Sequence, residues 1–180
     1  MNWPNRLSLL RVGLVPLVVL TICLGDPWSY GAALVLFLAG CLTDWADGWM
    51  ARRYRVVTNF GKFMDPVADK LLVLSTMISL CGQGMIPAWA CVAVLFRELA
   101  VDGLRLVAVE QGKVIAAGKL GKIKTCTQMA MLVAYLLTAI GWLRVPVLNW
   151  ALLALAMAMT LWSGVDYFWK NRALFAGGLR

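Results

Sequence analysis

The chain has nine acidic residues, and four of them, Asp44, Asp47, Asp65 and Asp69, crowd residues 44–69 between two strongly apolar segments. Carboxylates at the edge of hydrocarbon must be paired, hydrated or bound to a cation, so four together mark a functional site. Spacings of three and four residues put Asp44 with Asp47, and Asp65 with Asp69, each on one face of a helix. Two facing pairs form an all-oxygen nest whose mutual repulsion calls for cations, Mg²⁺ or Mn²⁺ rather than zinc. Two divalent ions neutralise such a cluster, and a pair of this kind stabilises in-line phosphoryl displacement. The chain has no histidine, so proton abstraction falls to a carboxylate or a metal-bound water.

The elements that carry these residues belong in a bilayer. The composition is 62% hydrophobic and only 14% charged, with nine tryptophans, which excludes an ordinary soluble domain. Apolar runs at 12–24, 29–43, 71–80, 87–96, 125–142 and 145–168 predict an all-α integral membrane protein, a bundle of about six transmembrane helices. The third and fourth runs are short, so those helices must extend from about Pro66 and on to about Val109. With the second helix starting at Ser29, Asp44 lies ~22 Å along it, below the edge of a ~30 Å core and within reach of a lipid headgroup. Asp65 and Pro66 suit the N-cap and first helical position of the third helix. No internal repeat or long linker divides the chain, and residues 1–180 read as a single membrane domain.

Sixteen of the seventeen Lys and Arg residues fall on one side of these spans, leaving Arg144 on the other. The positive-inside rule then puts both termini and the acidic cluster at the cytoplasmic face of the cell's inner membrane. No small-x-small cleavage site follows Leu24, so the first helix is expected to be retained. The five cysteines are scattered singly, as packing thiols are. The net charge of +8 is segregated to one face without a recognition motif, which favours anionic lipids and phosphates over nucleic acid.

Around the acids, Gly48, Ala51 and Gly61 strip bulk from the approach to the backbone, and Arg52 offers a planar fork for a phosphate. Asp44-x2-Asp47-Gly48-x2-Ala51-Arg52-x8-Gly61-x3-Asp65-x3-Asp69 resembles, without gap or substitution, the signature of the CDP-alcohol phosphatidyltransferase family. The resemblance implies that Asp44, Asp47, Asp65 and Asp69 hold two divalent ions over the diphosphate of a CDP-linked lipid. It makes Asp69 the base as well, and it lines the cytidine diphosphate pocket with Gly48, Ala51, Arg52 and Gly61. The runs Pro4–Arg11, Asp65–Lys70, Arg97-Glu98 and Gly121–Thr125 resemble the branch of the family that makes phosphatidylglycerophosphate. That implies transfer of a phosphatidyl group from CDP-diacylglycerol to sn-glycerol 3-phosphate with release of CMP, by a homodimer among membrane lipids.

A dianionic acceptor needs basic residues at its entry. Arg105 and Lys124 are the first candidates, then Arg97 and Lys122. Asn5 and Arg11 read first as a helix cap and an interfacial anchor, with contact to nucleotide or acceptor phosphate as the second reading, and the tryptophans read as interfacial belts and packing. A different acceptor, such as inositol phosphate, would use the same chemistry. A cation transporter could also use the acidic cluster, but no acidic or polar residue deep in the later helices is expected to continue a path.

Overall fold

The computed structural model describes residues 3–54, 59–113, 115 and 118–172, with side chains described for 8–43, 64, 67–113, 115 and 118–172. Among the described residues there are six helices and no strand: α1 (Trp3–Leu24), α2 (Pro27–Tyr54), α3 (Asn59–Gly82), α4 (Ala88–Glu110), α5 (Lys119–Ile140) and α6 (Pro146–Lys170). All six expected helices are present, and α3 and α4 do extend into their polar flanks. By length and composition, α5 and α6 are each apolar enough to cross a membrane.

Gly25, at φ +78°, turns the chain out of α1 in a left-handed conformation that a side chain would strain. Asp26 then caps α2: its Oδ1 accepts from the backbone N–H of Trp28 and Ser29, while Ser29 Oγ accepts from the Asp26 N–H. Pro27 takes the first helical position, where no donor is needed. The same Asp-Pro pair at 65–66 does not play that role. Helix α3 already starts at Asn59, so Asp65 is its seventh residue rather than its N-cap. Proline inside a membrane helix is tolerated because neighbouring groups can satisfy the freed carbonyl.

The chain divides into two compact units, residues 1–87 with 132–145, and residues 88–131 with 146–180. In the first, α1 packs against both α2 and α3 around Val18, Ile22, Phe37, Leu72, Met77 and Leu136, each no more than 1% exposed. Arg11 is buried there too, at 0% exposure, so it is not the interfacial anchor its position suggested. One arginine on the inward stripe of α1 is drawn into the bundle with its neighbours. In the second unit α4 packs on α6. The buried stripe of α4 runs Ala90, Val94, Glu98, Val101, Leu104, Ala108, and that of α6 includes Ala156, Thr160, Ser163 and Gly164. Small residues on α6 let helix backbones approach closely.

The outward faces are apolar as well. Leu20, Val35, Phe96, Leu99, Leu106, Leu161 and Val165 are all exposed, a surface suited to hydrocarbon rather than water. Trp28, Trp89, Trp142 and Trp169 are exposed at or next to helix ends, where amphipathic rings favour a membrane boundary.

Candidate active site

Helix α2 carries Asp44, Asp47, Gly48, Ala51 and Arg52 in its last turns, and α3 carries Gly61, Asp65 and Asp69 in its first half. Each pair of aspartates therefore lies on an unbroken helix, and the expected sharing of a face at spacings of three and four holds for the backbone. The side chains of Asp44, Asp47, Gly48, Ala51, Arg52, Gly61 and Asp65 lie outside the described residues. Asp69 is described and half-buried.

Helices α2 and α3, both packed on α1, also meet at a close contact next to the acids. A Cβ built on Gly40 would stand 2.5 Å from Leu72 Cδ2, so only glycine fits there without a shift. Leu72 is 1% exposed and cannot simply swing away. Asp44 follows Gly40 by one turn, and Asp69 precedes Leu72 by one turn. Thr43, beside Asp44, donates its Oγ1 hydrogen to the Gly40 carbonyl at 2.7 Å, a local bond that also bends helices.

The donor chemistry of this region fits hard divalent cations. Four carboxylates on two adjoining helices supply oxygen only, as Mg²⁺ and Mn²⁺ require. Among the described residues no group of three potential metal ligands occurs.

In the second unit the structure brings together two of the four expected acceptor cations. Lys124 Nζ and Arg97 Nη1 both donate to Glu98 Oε1, the latter at 3.2 Å. Arg97 Nη2 also donates to Ser163 Oγ at 3.3 Å. Gly164 makes room for the Arg97 side chain: a Cβ there would be 3.3 Å from its Cγ, whereas one on Gly121 would be in ordinary contact, 4.0 Å from its Nη2. Glu98 and Lys124 are 6% and 5% exposed. Burial at this depth is tolerable because the charges are paired and hydrogen-bonded. The three side chains together carry one net positive charge.

Arg105 stands apart from that cluster, against α6, where its Nε donates to the Tyr167 hydroxyl at 3.1 Å. Lys122 is exposed and takes no part in either arrangement. It lies two residues from Lys124, on another face of α5.

Glu98 itself was missing from the expected site, and the later helices are not free of buried polar groups. Gln128, Asn149, Thr160 and Ser163 are also buried on α5 and α6, contrary to the expectation from sequence. They are engaged within the bundle: Gln128 Nε2 donates to Thr160 Oγ1 at 3.1 Å, and Thr160 Oγ1 to the Ala156 carbonyl at 2.7 Å. A signal for Glu98 was present. It is an acid at helical spacing from Val94 and Val101, on the face that α4 buries.

Comparison with known proteins now bears on this arrangement. Residues 1–162 match the model of the CDP-alcohol phosphatidyltransferase family. The chain belongs to the CDP-alcohol phosphatidyltransferase family. A Bacillus subtilis (strain 168) protein named CDP-diacylglycerol–glycerol-3-phosphate 3-phosphatidyltransferase is 41% identical across 94% of this chain and 95% of its own. The protein of the same name from Escherichia coli (strain K12) is 37% identical across 96% of both. A Mycobacterium tuberculosis (strain ATCC 25618 / H37Rv) protein named probable phosphatidylglycerophosphate synthase is 39% identical across 99% of this chain and 85% of its own.

Proposed function

We propose that this phosphatidyltransferase moves a phosphatidyl group from CDP-diacylglycerol to the 1-hydroxyl of sn-glycerol 3-phosphate, giving phosphatidylglycerophosphate and CMP. The observation that carries this is the similarity to relatives named for that reaction over nearly their whole length, in a chain that keeps the aspartate signature intact. Asp44, Asp47, Asp65 and Asp69 would hold two Mg²⁺ ions, or Mn²⁺. Such ions, when bound, neutralise the diphosphate and its departing oxygen. Gly48, Ala51 and Gly61 leave space for the cytidine diphosphate, and Arg52 supplies a fork to a phosphate. Asp69 orients the acceptor hydroxyl and takes its proton as the new P–O bond forms, while the bond to CMP breaks.

Arg105, Lys124, Arg97 and Lys122 are the cations for the acceptor phosphate, with Lys122, the exposed one, suited to first encounter. The distribution of Lys and Arg supports six spans with both termini and the catalytic residues at the cytoplasmic face of the inner membrane. The family match crosses both compact units, which supports one functional domain, and we assign it a homodimeric state among membrane lipids.

The purified protein, incubated in detergent with CDP-diacylglycerol and Mg²⁺, should release CMP with glycerol 3-phosphate and stop when EDTA is added. Inositol phosphate, inositol and serine should each give none. Release with inositol phosphate instead would keep the mechanism and replace the acceptor. A folded, metal-loaded protein that gives no CMP would leave the acidic cluster to cation transport.

A further inference from the structure

Tyr167 has no part in the proposed chemistry, yet it holds one of the proposed acceptor cations in a defined pose. Tyr167 is 9% exposed and packs with Val101, Leu104 and Ala108 of α4, with Ile115 and Phe168 against the same cluster. Its backbone is fixed too: Asn171 Nδ2 donates to the Tyr167 carbonyl at 2.7 Å, and the Asn171 N–H does so at 3.3 Å. The hydroxyl is therefore a fixed acceptor rather than a mobile one.

Arg105 meets that hydroxyl through Nε at 3.1 Å, and its guanidinium carbon lies 5.7 Å from the ring centroid. Among the described residues, this phenol is the polar group that engages it. A guanidinium has five N–H donors in a rigid plane. With Nε committed to Tyr167, the four N–H bonds of Nη1 and Nη2 remain, and that pair of nitrogens matches two oxygens of a phosphate.

We infer that Tyr167 is a positioning residue for the acceptor phosphate: by accepting from Nε it presents the Nη1 and Nη2 edge of Arg105 to the phosphate of glycerol 3-phosphate. This rests on the reading of Arg105 as an acceptor cation. Arg97 is oriented by a hydroxyl of the same helix, Ser163, one turn before Tyr167. Helix α6 therefore orients two arginines of α4 without adding charge to the site.

The test is steady-state CMP release by the full-length protein, with each substrate varied in turn. Tyr167→Phe keeps the ring and its packing and loses only the hydroxyl. It should raise KM for glycerol 3-phosphate about fivefold to tenfold, as loss of one hydrogen bond does. Its kcat and its KM for CDP-diacylglycerol should stay within about twofold. Arg105→Lys, which keeps the charge but not the fork and leaves Tyr167 untouched, should raise the same KM. Tyr167→Phe should then add nothing in the Arg105→Lys background. Arg105→Ala separates the two levels of the inference. If it raises KM for glycerol 3-phosphate while Tyr167→Phe does not, the positioning role is wrong and the acceptor reading stands. If Arg105→Ala leaves that KM unchanged, the acceptor reading itself is wrong. A parallel change of both KM values and kcat in Tyr167→Phe would mark a merely structural residue and overturn the inference.

Discussion

Gly40 on α2 and Leu72 on α3 meet so closely that a methyl group on the glycine would stand 2.5 Å from Leu72 Cδ2. The contact lies one turn from Asp44 on one helix and one turn from Asp69 on the other, so the spacing of the helices there bears on the spacing of the acids. Gly40→Val should overpack the crossing, at a cost of about 1–3 kcal/mol. The Mg²⁺ concentration for half-maximal CMP release should rise about tenfold, the equivalent of 1.4 kcal/mol. Leu72→Ala combined with Gly40→Val restores space and should recover part of the metal affinity. An unchanged Mg²⁺ titration in Gly40→Val would separate the crossing from the site.

Asp26 gives a pH dependence with a definite sign. The backbone N–H of Ser29, then its hydroxyl, hold the Asp26 carboxyl below its ordinary value of 3.8, against a smaller desolvation effect in the other direction. A carboxyl whose folded value is depressed contributes stability above its unfolded value, and that contribution disappears as pH falls through the folded value. Asp26→Ala should therefore melt lower than the parent at pH 7. The difference should shrink as pH falls below ~4, the unfolded value, and vanish once the parent's own cap is protonated at its lower folded value. Melting curves of both proteins across that range check it; a difference that persists in acid would assign the loss to something other than the charged cap.

These two pairs also show what the sequence made visible and what it did not. Long apolar runs are unmistakable, so all six helices were legible, as was the spacing of the four aspartates along them. Boundaries were harder because the cue is local. Asp26-Pro27 and Asp65-Pro66 carry the same capping signal, but Gly25 breaks the chain before the first, whereas α3 begins six residues before the second. Glu98 was hidden because an acid beside Arg97 reads as a polar flank until α5 and α6 close over it. Arg11 was misplaced for the same reason. Tyr167 looked like packing, and its ring is packing; only the position of its hydroxyl beside Arg105 Nε gives it a second role.

Glu98 is the next residue to test. Lys124 and Arg97 share its carboxylate, so Glu98→Ala would leave two cations beside a lost partner at a buried position. Breaking a buried pair from one side costs about 3–5 kcal/mol. Glu98→Gln keeps the shape and one acceptor oxygen and should cost less. Replacing Glu98 by Gln and Lys124 by Met together removes one of the two cations and leaves Arg97 an amide oxygen to donate to, so it should recover part of the stability lost in Glu98→Ala. Thermal denaturation in detergent, followed by tryptophan fluorescence, distinguishes these orders. Equal melting of Glu98→Ala and the parent would mean that the pair contributes nothing to the bundle.

Asp69 is the sharpest case, because its two proposed duties differ in what they do to substrate binding. As one of four carboxylates around the metals it shares a role with Asp44, Asp47 and Asp65. As the base, it acts on the acceptor hydroxyl, a task the absence of histidine leaves to a carboxylate or a metal-bound water. Asp69→Asn keeps the volume and an oxygen ligand but cannot take a proton. Its kcat should fall by about 10²–10⁴, the usual contribution of a positioned base, while CDP-diacylglycerol binding is largely kept. Asp44→Asn should instead weaken Mg²⁺ affinity and be partly rescued at high Mg²⁺ or Mn²⁺. Single-turnover CMP release with binding measured separately tells the two apart. Turnover by Asp69→Asn at the parental rate, or full rescue of it by metal alone, would move the base elsewhere.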